Sequence, residues 1–185
     1  MEDPGADVAR MFEQREREFL VSPVRVTMKS STEQIEVGDL LLAKAKEGER
    51  LELPRWVAEE LVDLGLAELQ EEPFDVEIFK ALTREKMLAS PQLSPLEPNF
   101  YIRMRRRLAV IKAGVEKGKY RREDYEKLRM ASYDLIGRRL SKLLSISSSA
   151  SVKTITDRIT PEEKAFFTMS SSISASWKTA LLGEQ

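Results

Sequence analysis

The residues best equipped for chemistry in this sequence are carboxylates. Glu59, Glu60, Glu71, Glu72, Asp75 and Glu77 fall close together. Paired carboxylates can hold a magnesium ion or divide the work of general acid and base. None of the six stands in a motif that fixes ligand spacing, and all suit the charged surface of a helix and a linker, which is the favoured reading. The second candidate is Arg103, Arg105, Arg106 and Arg107. Arginine grips phosphate in a fork, so a nucleic-acid contact is one reading. A solvated helix face, or ion pairs to an acidic neighbouring subunit, is the other. No glycine turn or helix-turn-helix spacing supports a recognition helix, and no interleaved aromatics support a single-strand groove. Ser147–Ser151 offers hydroxyls but lacks the Gly and Lys of a phosphate-binding loop, and reads as a linker. Trp56 and Trp177 suit either exposed anchors of an interface or core packing, with core packing favoured.

What is missing narrows the chemistry further. The chain has no Cys and no His. That excludes disulfides, the usual zinc sites, and Ser-His-Asp or Cys-His nucleophile systems. It agrees with a reducing compartment. No residue set asks for a cofactor. The formal net charge is −1, yet residues 31–80 are acidic, while residues 99–122 hold nine cations against the single acid Glu116. At 42% hydrophobic and 33% charged, the composition is that of a folded globular protein. No run reaches the roughly 20 apolar residues of a membrane span. The first 20 residues are charged, without the apolar stretch of a secretory signal. A cytoplasmic location is expected.

The elements that must position these residues follow from periodicity. Residues 8–20 suit a short helix, with Val8, Met11, Phe12 and Phe19 on one face, stopped by Pro23. Val24, Val26 and Met28 alternate with Arg25, Thr27 and Lys29, which predicts a half-buried strand. Residues 39–45 and 50–53 read as two more strands, joined by a hairpin-length link with Gly48. Pro54 is expected in the first turn of a helix over 55–64, with Trp56, Val57, Leu61 and Leu64 on its apolar face and Gly65 as its stop. Residues 66–69 return as a strand. A helix over 75–89 is predicted with Val76, Phe79, Leu82 and Leu88 inward. Pro91, Pro95 and Pro98 make a connector. Asn99 is read as the N-cap of a helix to about Lys117, with Met104, Leu108, Ile111 and Val115 buried. The longest helix, 121–146, carries a stripe of Tyr125, Leu128, Ser132, Leu135, Ile136, Leu140, Leu143 and Leu144. Thr160-Pro161-Glu162-Glu163 has the form of a capping box and opens the last helix, which carries Phe166, Phe167, Met169, Ile173 and Trp177. The fold class is α+β: a small β-rich domain with a short leading helix over 1–72, then a larger all-α domain over 73–185.

The order of these elements, the stretch Leu51–Leu61 (LELPRWVAEEL) and the Thr-Pro-Glu-Glu helix start resemble the GINS complex subunits of DNA replication. The β-first domain order is similar to the archaeal subunit corresponding to partner of Sld five members two and three. The resemblance implies a non-catalytic scaffold with no catalytic residues, cofactor or metal to carry over. It implies sister GINS subunits in a tetramer, built from one or two subunit types, with the MCM helicase, a RecJ-like protein, and in some systems primase or polymerase as partners. The expected setting is the replication fork at the nucleoid. Subunit-interface candidates are Arg103, Arg106, Arg107, Tyr125, Leu128, Leu135, Arg138, Arg139 and Trp177. The β-domain motif is Leu53, Pro54, Arg55 and Trp56. Direct DNA contact is left open, as is the rival reading of a nucleic-acid-binding regulator built on 103–107.

Overall fold

Alternation of apolar and polar residues in Pro23–Met28 produces the central strand of the N-terminal unit, β1, with Val24, Val26 and Met28 buried. A computed structural model of the chain describes residues 4–38, 40–42, 44–71, 73–148 and 158–183. It divides into two compact units, Met1–Glu72 and Pro73–Gln185. The first holds nine Lys and Arg against eighteen Asp and Glu, and the second twenty-one against thirteen. One is therefore strongly acidic and the other strongly basic.

In the first unit, α1 (Pro4–Val21) leads into β1. Strand β1 is flanked on both sides by antiparallel partners, β4 (Arg50–Pro54) and β5 (Ala67–Leu69). Val24 faces Leu53 and Val26 faces Leu51 across the first pairing. A separate two-stranded piece joins β2 (Ile35–Val37) to β3 (Leu40–Leu42). The expected hairpin between strands at 39–45 and 50–53 does not form. Residues 40–42 pair back onto β2, and the link that carries Gly48 is held by β1 instead. The Gly48 N–H donates to the Met28 carbonyl and the Met28 N–H to the Glu49 carbonyl, both at 2.9 Å. Asp39 and Ala43 of that expected strand lie outside the described residues. The helix α2 (Arg55–Asp63) lays Val57, Ala58 and Leu61 on the sheet, in one cluster with Val24, Val26, Met28 and Leu53. Leu64, expected on the same face, is exposed.

Among the described residues, the regular elements of the second unit are helices: α3 (Phe74–Met87), α4 (Phe100–Glu116), α5 (Arg122–Ser147) and α6 (Pro161–Leu182). Helix α5 packs against the other three. Its inward face is Leu128, Ala131, Ser132, Leu135, Arg139, Lys142, Leu143 and Ile146, so two cations stand within the apolar stripe. Leu144, read from the sequence as part of that stripe, is exposed. Burying a side chain such as Leu135 or Leu143 contributes about 1.5–3 kcal/mol, and both are fully buried.

Helix α3 turns a different face inward from the one its apolar residues suggest. Phe74, Ile78, Ala81, Leu82 and Glu85 are buried, while Val76 and Phe79 are exposed. The inward face is the apolar row Phe74, Ile78, Ala81 and Leu82, and Glu85 continues it. Asn99 stands at the α4 N-cap but makes no side-chain cap bond. Met104 and Ile111 are buried as expected, with Leu108 and Val115 half-buried. The α4–α5 turn closes over Gly114. A Cβ there would meet the Tyr120 ring at 2.2 Å, and the Lys119 N–H donates to the Gly114 carbonyl at 2.7 Å.

Candidate interaction surface

In the first unit, the Leu53–Trp56 stretch forms a structural corner. Pro54 ends β4 opposite Pro23 and occupies the α2 N-cap, one residue earlier than its predicted place in the first turn. A proline with φ −53 and ψ 137 needs no donor there, so strand passes directly into helix. Leu53 is buried in the core, and Trp56 packs against that core and over Gly38. Arg55 is buried; its guanidinium stacks 4.1 Å from the centre of the Phe19 ring and hydrogen-bonds both oxygens of Glu71.

The candidate carboxylates are taken by arginines. Glu59 and Glu71 pair with Arg55, Asp75 with Arg107 and Glu77 with Arg103. Glu60 is exposed, and Glu72 lies outside the described residues. No group of three acids able to hold a metal ion occurs among the described residues.

The same pairings account for half of the arginine cluster. The Arg107 guanidinium donates to both Asp75 oxygens, at 2.7 and 2.6 Å, and these bonds raise its pKa despite partial burial. Arg103 donates to Glu77 at 2.8 Å and lies over the Phe74 ring. Burial lifts the Glu77 carboxyl above its ordinary value, more than the attraction of Arg103 lowers it. These arginines clamp α4 to the first turn of α3. Arg106 is half-buried on α4.

A buried polar network that the sequence reading missed centres on Arg139. Its side chain is fully buried, as is that of Glu85, and Glu163 is nearly so. The guanidinium donates to Glu85 at 2.8 Å, to the Ser94 carbonyl at 2.7 Å, and to both Glu163 oxygens, one at 2.7 Å. Burial opposes the charge on Arg139, but the Glu163 bonds outweigh it and raise its pKa. The Tyr101 hydroxyl donates to Glu163 at 2.6 Å, and burial foremost, with the Glu163 charge, pushes the phenol well above its ordinary value. Lys142 donates to Glu85 at 2.6 Å and to the carbonyls of Glu85 and Leu88. It thereby caps the C-terminal end of α3 with a cation, where the helix dipole favours one. Burial raises the Glu85 carboxyl, yet hydrogen bonds from Lys142 and Ser94 and the charge of Arg139 leave it lowered overall. The two cations and two carboxylates balance, as buried charges must. One signal was legible in the sequence: Arg139 and Lys142 fall in register with the α5 stripe, and Glu85 with Ile78 and Leu82 on α3.

This network holds the start of α6. Thr160 and Glu163 form the predicted capping box: the Glu163 N–H donates to the Thr160 hydroxyl and the Thr160 N–H to the Glu163 carboxylate. Phe166 and Phe167 pack on Leu143 and Ile146. Farther along, the apolar residues of α6 face outward. Ile173, Trp177, Leu181 and Leu182 are each about 67–70% exposed, and Met169 is partly exposed. Met169, Ile173 and Trp177 recur every four residues, so they share one face. Trp177, favoured as core from its sequence, is therefore a surface residue. Near the end of α6, the Lys178 ammonium donates to the Ser148 carbonyl at 2.6 Å.

The remaining sequence candidates divide. Leu128, Leu135 and Arg139 are buried within their own unit and offer no exposed surface. Tyr125 is half-buried, and Arg138 lies on the surface, donating to Asp134 at 2.7 Å. Only α6 presents a continuous apolar face with a tryptophan among the described residues.

Residues 74–182 match the family model of the GINS complex protein helical bundle domain, Sld5. No curated protein sequence matched the chain. The match begins at the first residue of α3, ends at the last of α6 and takes in more than half of the sequence. The chain therefore belongs to the GINS family and is a GINS complex subunit of DNA replication, with other GINS subunits as its partners.

Proposed function

We propose that this chain is a non-catalytic scaffold subunit that works by burying the exposed face of α6 against a sister GINS subunit. The observation that carries the proposal is the stripe Met169, Ile173, Trp177 and Leu181, on a helix whose other end is tied down by the Arg139 network. Large exposed apolar patches mark association sites, and tryptophan is enriched at their centres. Arg106, Tyr125 and Arg138 belong to the rim of that surface or to a second contact. Leu128, Leu135 and Arg139 support it from beneath, and Arg103 and Arg107 support it by fixing α4 to α3.

The assembly we propose is a tetramer of archaeal type, in which the β-first subunit, related to partner of Sld five members two and three, occupies its usual places. Helices of the domain 73–185 pack with sister subunits, and the domain 1–72, around Leu53, Pro54, Arg55 and Trp56, docks on a subunit or on the helicase. The complex joins and stimulates the MCM helicase and holds a RecJ-like protein, with primase or polymerase as further partners, at the nucleoid. None of the described helices is long and apolar enough to cross a membrane.

Light scattering of the full chain, with and without sister subunits, tests this reading. The chain alone is expected to self-associate or to dissolve poorly, and co-expression to rescue it. Ile173→Glu with Trp177→Glu should abolish the hetero-complex while leaving the melting curve in place. A cooperative monomer at micromolar concentration, or assembly that survives both substitutions, would overturn it.

A further inference from the structure

The ion pairs of the second unit sort the nine cations of residues 99–122 into two groups. Arg103, Arg107 and Arg121 are held by Glu77, Asp75 and Asp124. Lys119 lies beside the Tyr120 ring, and Arg106 is half-buried. Arg105, Lys112, Lys117 and Arg122 are exposed and, among the described residues, make no ion pair. Glu116 is the one acid of α4, and Glu123 and Asp124 begin α5.

We infer that the exposed side of α4 and the α4–α5 turn, through Arg105, Lys112, Lys117 and Arg122, is a docking surface for the phosphate backbone of duplex DNA. The geometry suits a polyanion. Arg105 and Lys112 are seven residues apart, which puts them on one line of the helix about 10 Å apart. Along the duplex axis that distance covers about three base-pair steps, each with a phosphate on either strand. Between them, Ala109 is exposed and short, so a backbone can approach the helix closely. The surface lacks what single-strand binding uses. Tyr101 is buried and Tyr120 is closed over Gly114, so no exposed aromatic is available on α4 or the turn for bases to stack on. Contacts of this kind position a protein on DNA without reading sequence. The choice of DNA over another polyanion rests on the assignment to a replication complex; the cationic surface does not.

This docking surface differs from the regulator first suggested by 103–107. The arginines that looked most available there are engaged with α3, and the binding surface moves to cations spaced more widely along the same helix.

The test uses the full chain, co-expressed with its sister subunit to keep it in solution, and a 30-base-pair duplex of arbitrary sequence, followed by fluorescence anisotropy across a salt series. Four neutralised phosphates predict a log–log salt slope of about −3 to −4. The variant carrying R105E, K112E, K117E and R122E should lose binding at low salt by at least about 100-fold. Its melting temperature should hold, because none of the four supports the fold through an ion pair. Assembly with sister subunits is measured in parallel by light scattering. Loss of DNA binding with assembly intact supports the proposal. Absence of duplex binding by the native chain at 50 mM salt overturns it, as does full binding by the variant. If the variant instead loses only assembly, the surface meets an acidic protein and the DNA proposal fails. Failure of native assembly, with salt-dependent DNA binding retained, would instead overturn the scaffold reading and leave this one standing.

Discussion

Replacing Arg139 by Met leaves a shorter apolar stem where a guanidinium joined two buried carboxylates. Glu85 keeps Lys142 and Ser94, and Glu163 keeps Tyr101 and the Thr160 N–H. The charge count is then two carboxylates against one ammonium. Breaking a buried pair by removing one partner costs about 3–5 kcal/mol. That is a large part of the 5–15 kcal/mol that typically stabilises a domain. With a urea slope of about 2 kcal/mol per molar, the unfolding midpoint of the helical unit should fall by about 2 M. Far-UV circular dichroism follows that unit well, since four of the six helices belong to it. The deficit should be largest at neutral pH and shrink as the pH falls, because uptake of one proton by the orphaned carboxylates relieves the imbalance. A companion variant with Arg139 and Glu163 both replaced by apolar residues should recover much of the loss, because Glu85 then keeps Lys142 and no charge is stranded. A loss under about 1 kcal/mol for Arg139→Met, or a deficit that grows toward acid, would refute the reasoning.

Further outcomes follow from the same contacts. Thr160→Ala removes the hydroxyl that accepts from the Glu163 N–H, and chemical denaturation should register a loss of about 0.5–2 kcal/mol. Gly114→Ala drives a methyl into the Tyr120 ring; about 1–3 kcal/mol of overpacking should appear as a lower melting temperature, partly restored by adding Tyr120→Ala. In the native chain, the lowered Glu85 carboxyl contributes stability that is present above its unfolded value near 4.3 and lost as the pH falls through its lower folded value. Glu85→Gln should therefore flatten the acid limb of the stability profile, an effect that thermal melts between neutral and strongly acid pH would detect.

The parts of the fold carried by local signals were legible. Alternation gave β1, and the Thr160–Glu163 capping box was readable to the residue, because both depend on neighbours in sequence. Strand partners were less so. Residues 40–42 are as apolar as a partner of β4 would be, and only β1's demand for both its edges sends β4 to β1 and leaves β3 with β2. The α3 face was misread because Val76 and Phe79 were placed inward with Leu82, whereas Ile78 and Ala81 face the core and Glu85, seven residues from Ile78, joins them there. Its partners are more than fifty residues away in sequence, at Arg139 and Lys142. Of the interface candidates, Trp177 lies on a surface because α6 runs on beyond Phe166 and Phe167, the residues that seat it; no local pattern distinguishes such an overhang from a core helix. Arg103 and Arg107 looked free for lack of any nearby acid in sequence, yet Asp75 and Glu77 reach them from another helix.

The charges around Arg139 also become available in a fixed order as the chain is synthesised. Glu85 emerges first, then Arg139 and Lys142 together, and Glu163 only with the start of α6. Before that point the cluster carries one cation more than it can neutralise, so a nascent chain halted after α5 cannot close this core without stranding an arginine. A chain truncated upstream of Glu163 is thus expected to be less stable, and cut more readily by added protease, than the complete one.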